Sequence, residues 1–199
     1  MLRKVFTSFA HWGAITLCLT VLNGCSTARY DGTRPPDPAK ALIVGSITEG
    51  YLTQPHGLTV EIRQLNEPNA SITLQTLYSE DDQPSANLLG HLFMYEVPPG
   101  RYQFTDWRYQ YYLGNALARP APVVFEVKAG QTLYIGDLYA NALTFCLSNV
   151  DNAEKTVEGL KRKYAVLQNR TIYNLTAESA FKPWPTSDAK DSGKGLCMF

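Results

Sequence analysis

The chain has 199 residues, 45% of them hydrophobic, with 18 Lys and Arg against 18 Asp and Glu. This balance leaves no basic excess to hold nucleic acid and no acidic tail. The length and apolar content suit one domain with a sizeable core.

The first residues are Met1-Leu2-Arg3-Lys4, followed by an apolar run from about Ala14 to Leu22 and then by Gly24, Cys25 and Ser26. A positive start, a short apolar core and a small-residue exit form the layout of an export signal. The run falls short of the ~20 residues that a membrane-spanning helix needs. No later stretch comes close, so no other segment is expected to cross a bilayer.

Two cleavage points compete. Ser26-Thr27-Ala28 fits a small-x-small site that would release a soluble protein beginning at Arg29. Leu22-Asn23-Gly24-Cys25 instead resembles the lipobox of bacterial lipoproteins. That resemblance implies a signal peptide over residues 1–24, a diacylglyceryl group on the Cys25 thiol, and a fatty acid such as palmitate on the new amine. Two or more acyl chains hold a protein firmly to a membrane, where one does not. In the same family, Ser26 rather than Asp after the cysteine implies the outer membrane, facing the periplasm.

The 18 basic residues less Arg3 and Lys4 leave 16 against 18 acidic ones in the mature chain. Of four cysteines, Cys18 leaves with the signal and Cys25 would carry lipid, so Cys146 and Cys197 remain. In an oxidising compartment these two are expected to pair. Closing a loop of about 50 residues stabilises by ~4 kcal/mol on the chain-entropy account. The alternative is two separate thiols, with Cys146 buried in a strand. Asn-x-Ser/Thr matches at Asn69, Asn169 and Asn174 carry no weight in a bacterial envelope protein.

Residues 25–40 read as a lipidated cysteine and a flexible tether, because Asp31-Gly32 and Arg34-Pro35-Pro36-Asp37-Pro38 exclude helix. Strand patterns then follow in series. Ala41 to Ile47 is short and apolar. Leu58, Val60 and Ile62 alternate with Thr59, Glu61 and Arg63, and Ile72, Leu74 and Thr76 continue the period after the turn at Asn66 to Asn69. Leu89 to Val97, Arg101 to Tyr112, Val123 to Lys128 and Thr132 to Leu138 complete about seven strands, with no helix between them. The expected fold is mainly β: an antiparallel sandwich, with a barrel as the runner-up.

Two phrases carry a second resemblance. Val97-Pro98-Pro99-Gly100-Arg101-Tyr102-Gln103-Phe104 resembles the PPG-x-Y hairpin of bacterial transthyretin-like and carboxypeptidase-regulatory-like domains. Phe125 to Gly136, with Ala129-Gly130-Gln131 at its turn, is similar to a strand–turn–strand segment of small lipoproteins bearing such domains. The resemblance implies a prealbumin-like Greek-key sandwich and no catalytic residues. Along the fifth strand Tyr102 and Phe104 occupy one parity, Trp107, Tyr109 and Tyr111 the other. A bulge near Thr105-Asp106 would return all these aromatics to one face.

Past the sheet, Asp151 and Glu154 suit a capping box. Ala153, Val157, Leu160, Tyr164 and Leu167 mark one apolar stripe of a helix over residues 152–168, packed on the sandwich. The domain is expected over residues 41–181, with an irregular tail over 182–199.

Candidate chemistry is sparse. His56 and His91 stand far apart with no ligand spacing around them, so no metal is expected. Glu80, Asp81 and Asp82 read as a solvated loop, and Lys161, Arg162 and Lys163 as a solvated helix face. No phosphate-cradling loop, nucleophile elbow or zinc-protease motif occurs. Trp107, Tyr109, Tyr111 and Tyr112, with Arg108, are the candidate surface for a glycan or a protein partner, against the alternative that Trp107 and Tyr109 are core. The expectation is a non-catalytic accessory module of the envelope, without cofactor or metal, anchored to the outer membrane through Cys25 and engaging an envelope protein. A glycan-binding module using the Trp/Tyr face is the alternative.

Overall fold

The computed structural model describes residues 27–77, 82, 86–111, 116–118, 122–150, 152–176, 183–186 and 197. The strands are β1 (Ala41–Gly50), β2 (Leu58–Gln64), β3 (Glu67–Gln75), β4 (Leu88–Val97), β5 (Gly100–Tyr109), β6 (Val124–Val127), β7 (Thr132–Asn141), β8 (Cys146–Val150), β9 (Tyr173–Asn174) and β10 (Trp184–Pro185). One helix, α1 (Ala153–Lys163), and a 3₁₀ turn (Ala165–Leu167) lie between β8 and β9.

Ala41-Leu42-Ile43-Val44 is apolar at successive positions, so β1 must be covered on both faces. It lies between β7 and the edge strand β4 of the larger sheet, ordered β10-β8-β7-β1-β4, with β9 beside the start of β7. Ala41, Ile43 and Ile47 face the smaller sheet, β3-β2-β5-β6, across a core that includes Val60, Ile62, Phe93, Phe104 and Trp107. Leu42 and Val44 face the other way. They meet Leu92, Met94 and Tyr134 of the same sheet, Leu160 and Tyr164 of the helical segment, and Leu167 of the 3₁₀ turn. The protein is therefore three layers: sheet, sheet and helix.

The mainly-β expectation holds, and the structure departs from it in detail. Among the described residues there are ten strands in place of about seven: β8 was not expected, and β9 and β10, of two residues each, are too short to leave a periodic signal. The sandwich is not wholly antiparallel: β1 pairs β7 in parallel, and so does β9. The tail expected to be irregular contributes β10, whose Trp184 is buried and donates its indole N–H to the Leu117 carbonyl at 2.6 Å. The helix ends at Lys163 instead of Gln168, because Tyr164 is extended (φ −119°, ψ 103°). The apolar stripe nonetheless continues through that break, since Tyr164 and Leu167 are both buried against β1 and β4. The cap position is Asn152, without a side-chain cap bond, whereas Asp151 lies outside the described residues. Among the described residues no helix is long and apolar enough to cross a membrane.

The bulge expected in β5 is present. Glu61 pairs with Asp106 and Ile62 with Phe104, which leaves Thr105 as the extra residue. Tyr102, Phe104, Trp107 and Tyr109 consequently all enter the core.

Residues 27–40 do not behave as a loose tether. They form a strap along the β4 edge. The Tyr30 N–H donates to the Met94 carbonyl at 2.8 Å, Arg29 bridges Tyr95, and the Tyr30 ring is buried with Met94 and Tyr164. The Arg34 guanidinium forks onto the buried Glu96 carboxylate, and the Asp37 N–H donates to it at 2.7 Å. Proline prevents helix here but not docking, and the unpaired β4 edge needs cover.

The Arg34 guanidinium beside Glu96, helped by the Asp37 N–H, holds the Glu96 carboxyl below its ordinary value of 4.5, against the opposing effect of burial. A carboxyl lowered by folding contributes stability that is complete above the unfolded value and is lost as pH falls through the folded one. Arg34 is half-exposed, so the contribution is modest. The urea midpoint should fall between about pH 6 and about pH 3, and Glu96→Gln should remove part of that fall. An unchanged pH dependence in the variant would contradict the linkage.

Candidate functional site

The structure separates the aromatic residues singled out in the sequence. Trp107 and Tyr109 are 0% and 1% exposed and pack edge to face, with ring centroids 5.8 Å apart. Tyr111 is 64% exposed, at the mouth of the loop after β5. Tyr112 lies outside the described residues. Arg108 pairs with Glu61 at 3.2 Å and Asp106 at 3.0 Å. Among the described residues no continuous Trp/Tyr face results, because the Thr105 bulge that keeps the strand amphipathic turns Trp107 and Tyr109 inward.

The histidines are also apart in role. His91 is buried on β4, on the parity of Phe93 and Tyr95. His56 lies edge-on to Tyr109 at 5.9 Å, with Nδ1 3.5 Å from Glu49 Oε1. Among the described residues no group of three or more His, Cys, Asp and Glu could hold a metal. Glu80 and Asp81 lie outside the described residues. Asp82 accepts the Leu92 N–H at 2.9 Å and the Lys163 ammonium at 2.6 Å. Lys163 is thereby fastened to a loop, and Arg162 pairs with Glu158 on the exposed helix face.

Glu49 was not singled out in the sequence. It is 0% exposed and sits one residue before the end of β1. Its carboxylate accepts backbone N–H bonds from His56, Gly57 (3.0 Å) and Leu58 (3.1 Å), and the Thr76 hydroxyl at 2.9 Å. The acid thus ties the β1–β2 loop to the end of β3, a structural use of a buried charge. Only an acid breaking an apolar run could have signalled it.

The Sγ atoms of Cys146 and Cys197 lie 1.98 Å apart, at disulfide distance, and link β8 to the chain end. Both cysteines are buried.

A concavity of about 590 Å³ lies on the outer face of the larger sheet, beside α1. Its position follows from a change in β7. Leu133 and Ile135 point into the core, as do Leu138 and Ala140, so the parity switches at Gly136. The β1 register skips there, from Val44–Tyr134 to Ser46–Asp137. Gly136 has φ +115°, and a Cβ on it would lie 1.8 Å from Asn149 Oδ1. Gly45 lies opposite, with room for no side chain: its Cβ would meet the Gly136 carbonyl oxygen at 2.4 Å. The bulge aims Asp137 and Tyr139 outward, next to Ser46 and Thr48.

The helix-covered half of this face is apolar, and the groove is its polar continuation. Asp137 accepts the Ser46 hydroxyl at 2.6 Å and the Thr156 hydroxyl at 2.9 Å, which clamps α1 to the sheet. Lys155 and Arg162 stand on the helix rim, and Leu88, Leu92 and Val150 supply apolar wall. The volume lies in the range of small-ligand sites. With both Asp137 oxygens engaged and no histidine beside it, the cluster holds and orients and has no evident nucleophile–base pair. Sequence reasoning missed this groove, since its residues come from β1, β4, β7, β8 and α1. The glycine in Tyr134-Ile135-Gly136-Asp137 was its one local signal.

No known protein family, curated protein or solved structure matches this chain.

Two substitutions test these assignments. Gly136→Ala should cost about 2 kcal/mol or more in a urea melt, because Asn149 fills the space of a Cβ and φ is positive. Glu49→Ala, which takes the acceptor from the His56 and Gly57 N–H groups and leaves Leu58 only the Thr76 hydroxyl, should cost about 3 kcal/mol. A Glu49→Ala protein as stable as the parent would show that water replaces the carboxylate.

Proposed function

We propose that the protein is a lipoprotein of the bacterial outer membrane, facing the periplasm, and that its sandwich is a non-catalytic accessory or interaction module of the envelope. The observation that carries this reading is Leu22-Asn23-Gly24-Cys25 at the end of a short apolar run behind Arg3 and Lys4. The cysteine pair at disulfide distance supports it, because such pairs persist in oxidising compartments.

The fold we propose is prealbumin-like. Strand orders β8-β7-β1-β4 and β3-β2-β5-β6 support this, with β1 and β4 neighbours in one sheet and the intervening β2–β3 hairpin in the other. That alternation is a Greek key wrapped across two layers. The PPG-x-Y phrase also has a physical role consistent with it. Tyr102 folds back to donate its hydroxyl to the Pro98 carbonyl at 2.7 Å, and burial pushes its phenol up to about 12.

The strap alters how such an anchor would work. Thr27 N–H donates to the Ser71 carbonyl at 2.8 Å, only two residues after Cys25. Two residues span at most ~7 Å. The acyl chains would leave the domain at the flank between β3 and β4, so the sandwich would lie close against the bilayer. A partner would then meet the surfaces turned away from that flank.

Cells fed a labelled fatty acid should incorporate it into the protein, and Cys25→Ala should abolish the label and release the protein from the membrane fraction. Intact mass showing an unmodified chain that begins at Arg29 would refute the anchor. Crosslinking from membranes, compared with the Cys25→Ala form, should recover one stoichiometric envelope partner.

A further inference from the structure

We infer that the groove beside α1 binds a carboxylated saccharide lying along the helix. This inference is independent of the lipid anchor and of the aromatic residues of β5. Three features of the groove lead to it.

The first is the inventory of hydrogen-bonding groups. Both acids of the groove are engaged internally: Asp137 by two hydroxyls, and Asp82 by Lys163 and the Leu92 N–H. Lys155 enters no ion pair among the described residues. Arg162 is held only by an exposed pair with Glu158, which costs little to exchange. The Asn152 side chain makes no cap bond. The groups left over are therefore mainly donors, which call for a ligand rich in oxygen acceptors and carrying negative charge.

The second is spacing. Lys155 and Arg162 are seven residues apart on one helix face, two turns or ~10 Å. A single phosphate cannot reach both. That separation is about one disaccharide repeat, so the two cations suit carboxylates on alternate rings, or a carboxylate and a ring-oxygen cluster. Between them the rim carries Gly159, which presents no side chain toward the groove.

The third is the mixed wall. The hydroxyls of Ser46, Thr48 and Tyr139 share the groove with Leu88, Leu92 and Val150. A sugar ring has one hydroxyl-rich edge and one C–H-rich face, and this lining offers a counterpart to each. A glutamate-rich peptide would match the cations but has no C–H-rich face to lay against the apolar wall.

The test is an amide-resolved NMR titration of the full chain in a sugar-free zwitterionic detergent. The probe is a GlcNAc–MurNAc disaccharide, whose second ring bears a lactyl carboxylate, with neutral di-N-acetylchitobiose, a glutamate-rich peptide and inorganic phosphate as comparisons. The inference expects shifts confined to β1, β7 and α1 around the groove, and binding about tenfold weaker for chitobiose. Lys155→Ala and Arg162→Ala, both exposed and remote from the core, should each weaken the probe by about tenfold with an unchanged melting temperature. Several results would overturn it: no binding at millimolar probe, equal affinity for chitobiose, tighter binding of the peptide or phosphate, or indifference to both substitutions. A result of either kind leaves the anchor question untouched, since fatty-acid labelling of Cys25 reads that separately.

Discussion

Everything in the molecule answers to the need to cover β1 twice. A strand with Leu42 and Val44 on one face and Ala41, Ile43 and Ile47 on the other cannot end in water on either side. One face is met by the second sheet. The other is met by α1, the 3₁₀ turn and the Tyr30 strap, which together supply the third layer. The parallel pairing with β7 follows from the same need. An antiparallel neighbour on both sides would require β7 to run the other way, but the chain reaches it from β6, at the end of the sandwich where β1 begins.

Much of this was legible in the residues, and the physical reason differs from element to element. β2 alternates strictly, whereas β1 opens on four successive apolar residues, Ala41 to Val44, so one reads as half-covered and the other as covered on both faces. The β5 bulge was legible because aromatic side chains on both parities of one strand cannot all be exposed. The helix stripe was legible through Tyr164 and Leu167 even though the helical hydrogen bonds stop at Lys163, since packing follows the stripe and not the bond pattern. What periodicity does not encode was missed. β9 and β10, of two residues each, are held by neighbours distant in the chain, and the strap's proline-rich composition describes its backbone without saying where it docks. The groove was invisible for a similar reason: Ser46, Asp137 and Thr156 meet only once the sheet and helix are assembled.

Charge is used sparingly and locally in this fold. Glu49 organises a loop, Glu96 receives the strap, and Asp137 joins helix to sheet. Each acid is surrounded by donors, as burial in a poorly polarisable interior requires. Because the acids are engaged in this way, the cations of the α1 rim are left facing solvent at the groove.

The link between Cys146 and Cys197 bears on durability in a protease-rich surrounding. Any single backbone cut between these two residues opens the chain without freeing a fragment, since both pieces stay joined through sulfur. The helix, the strap's packing partners Tyr164 and Leu167, and the Trp184 strand all lie inside that span. The segment that completes the outer layer can therefore be nicked once and still be retained, and freeing it takes either a second cut or reduction of the bridge.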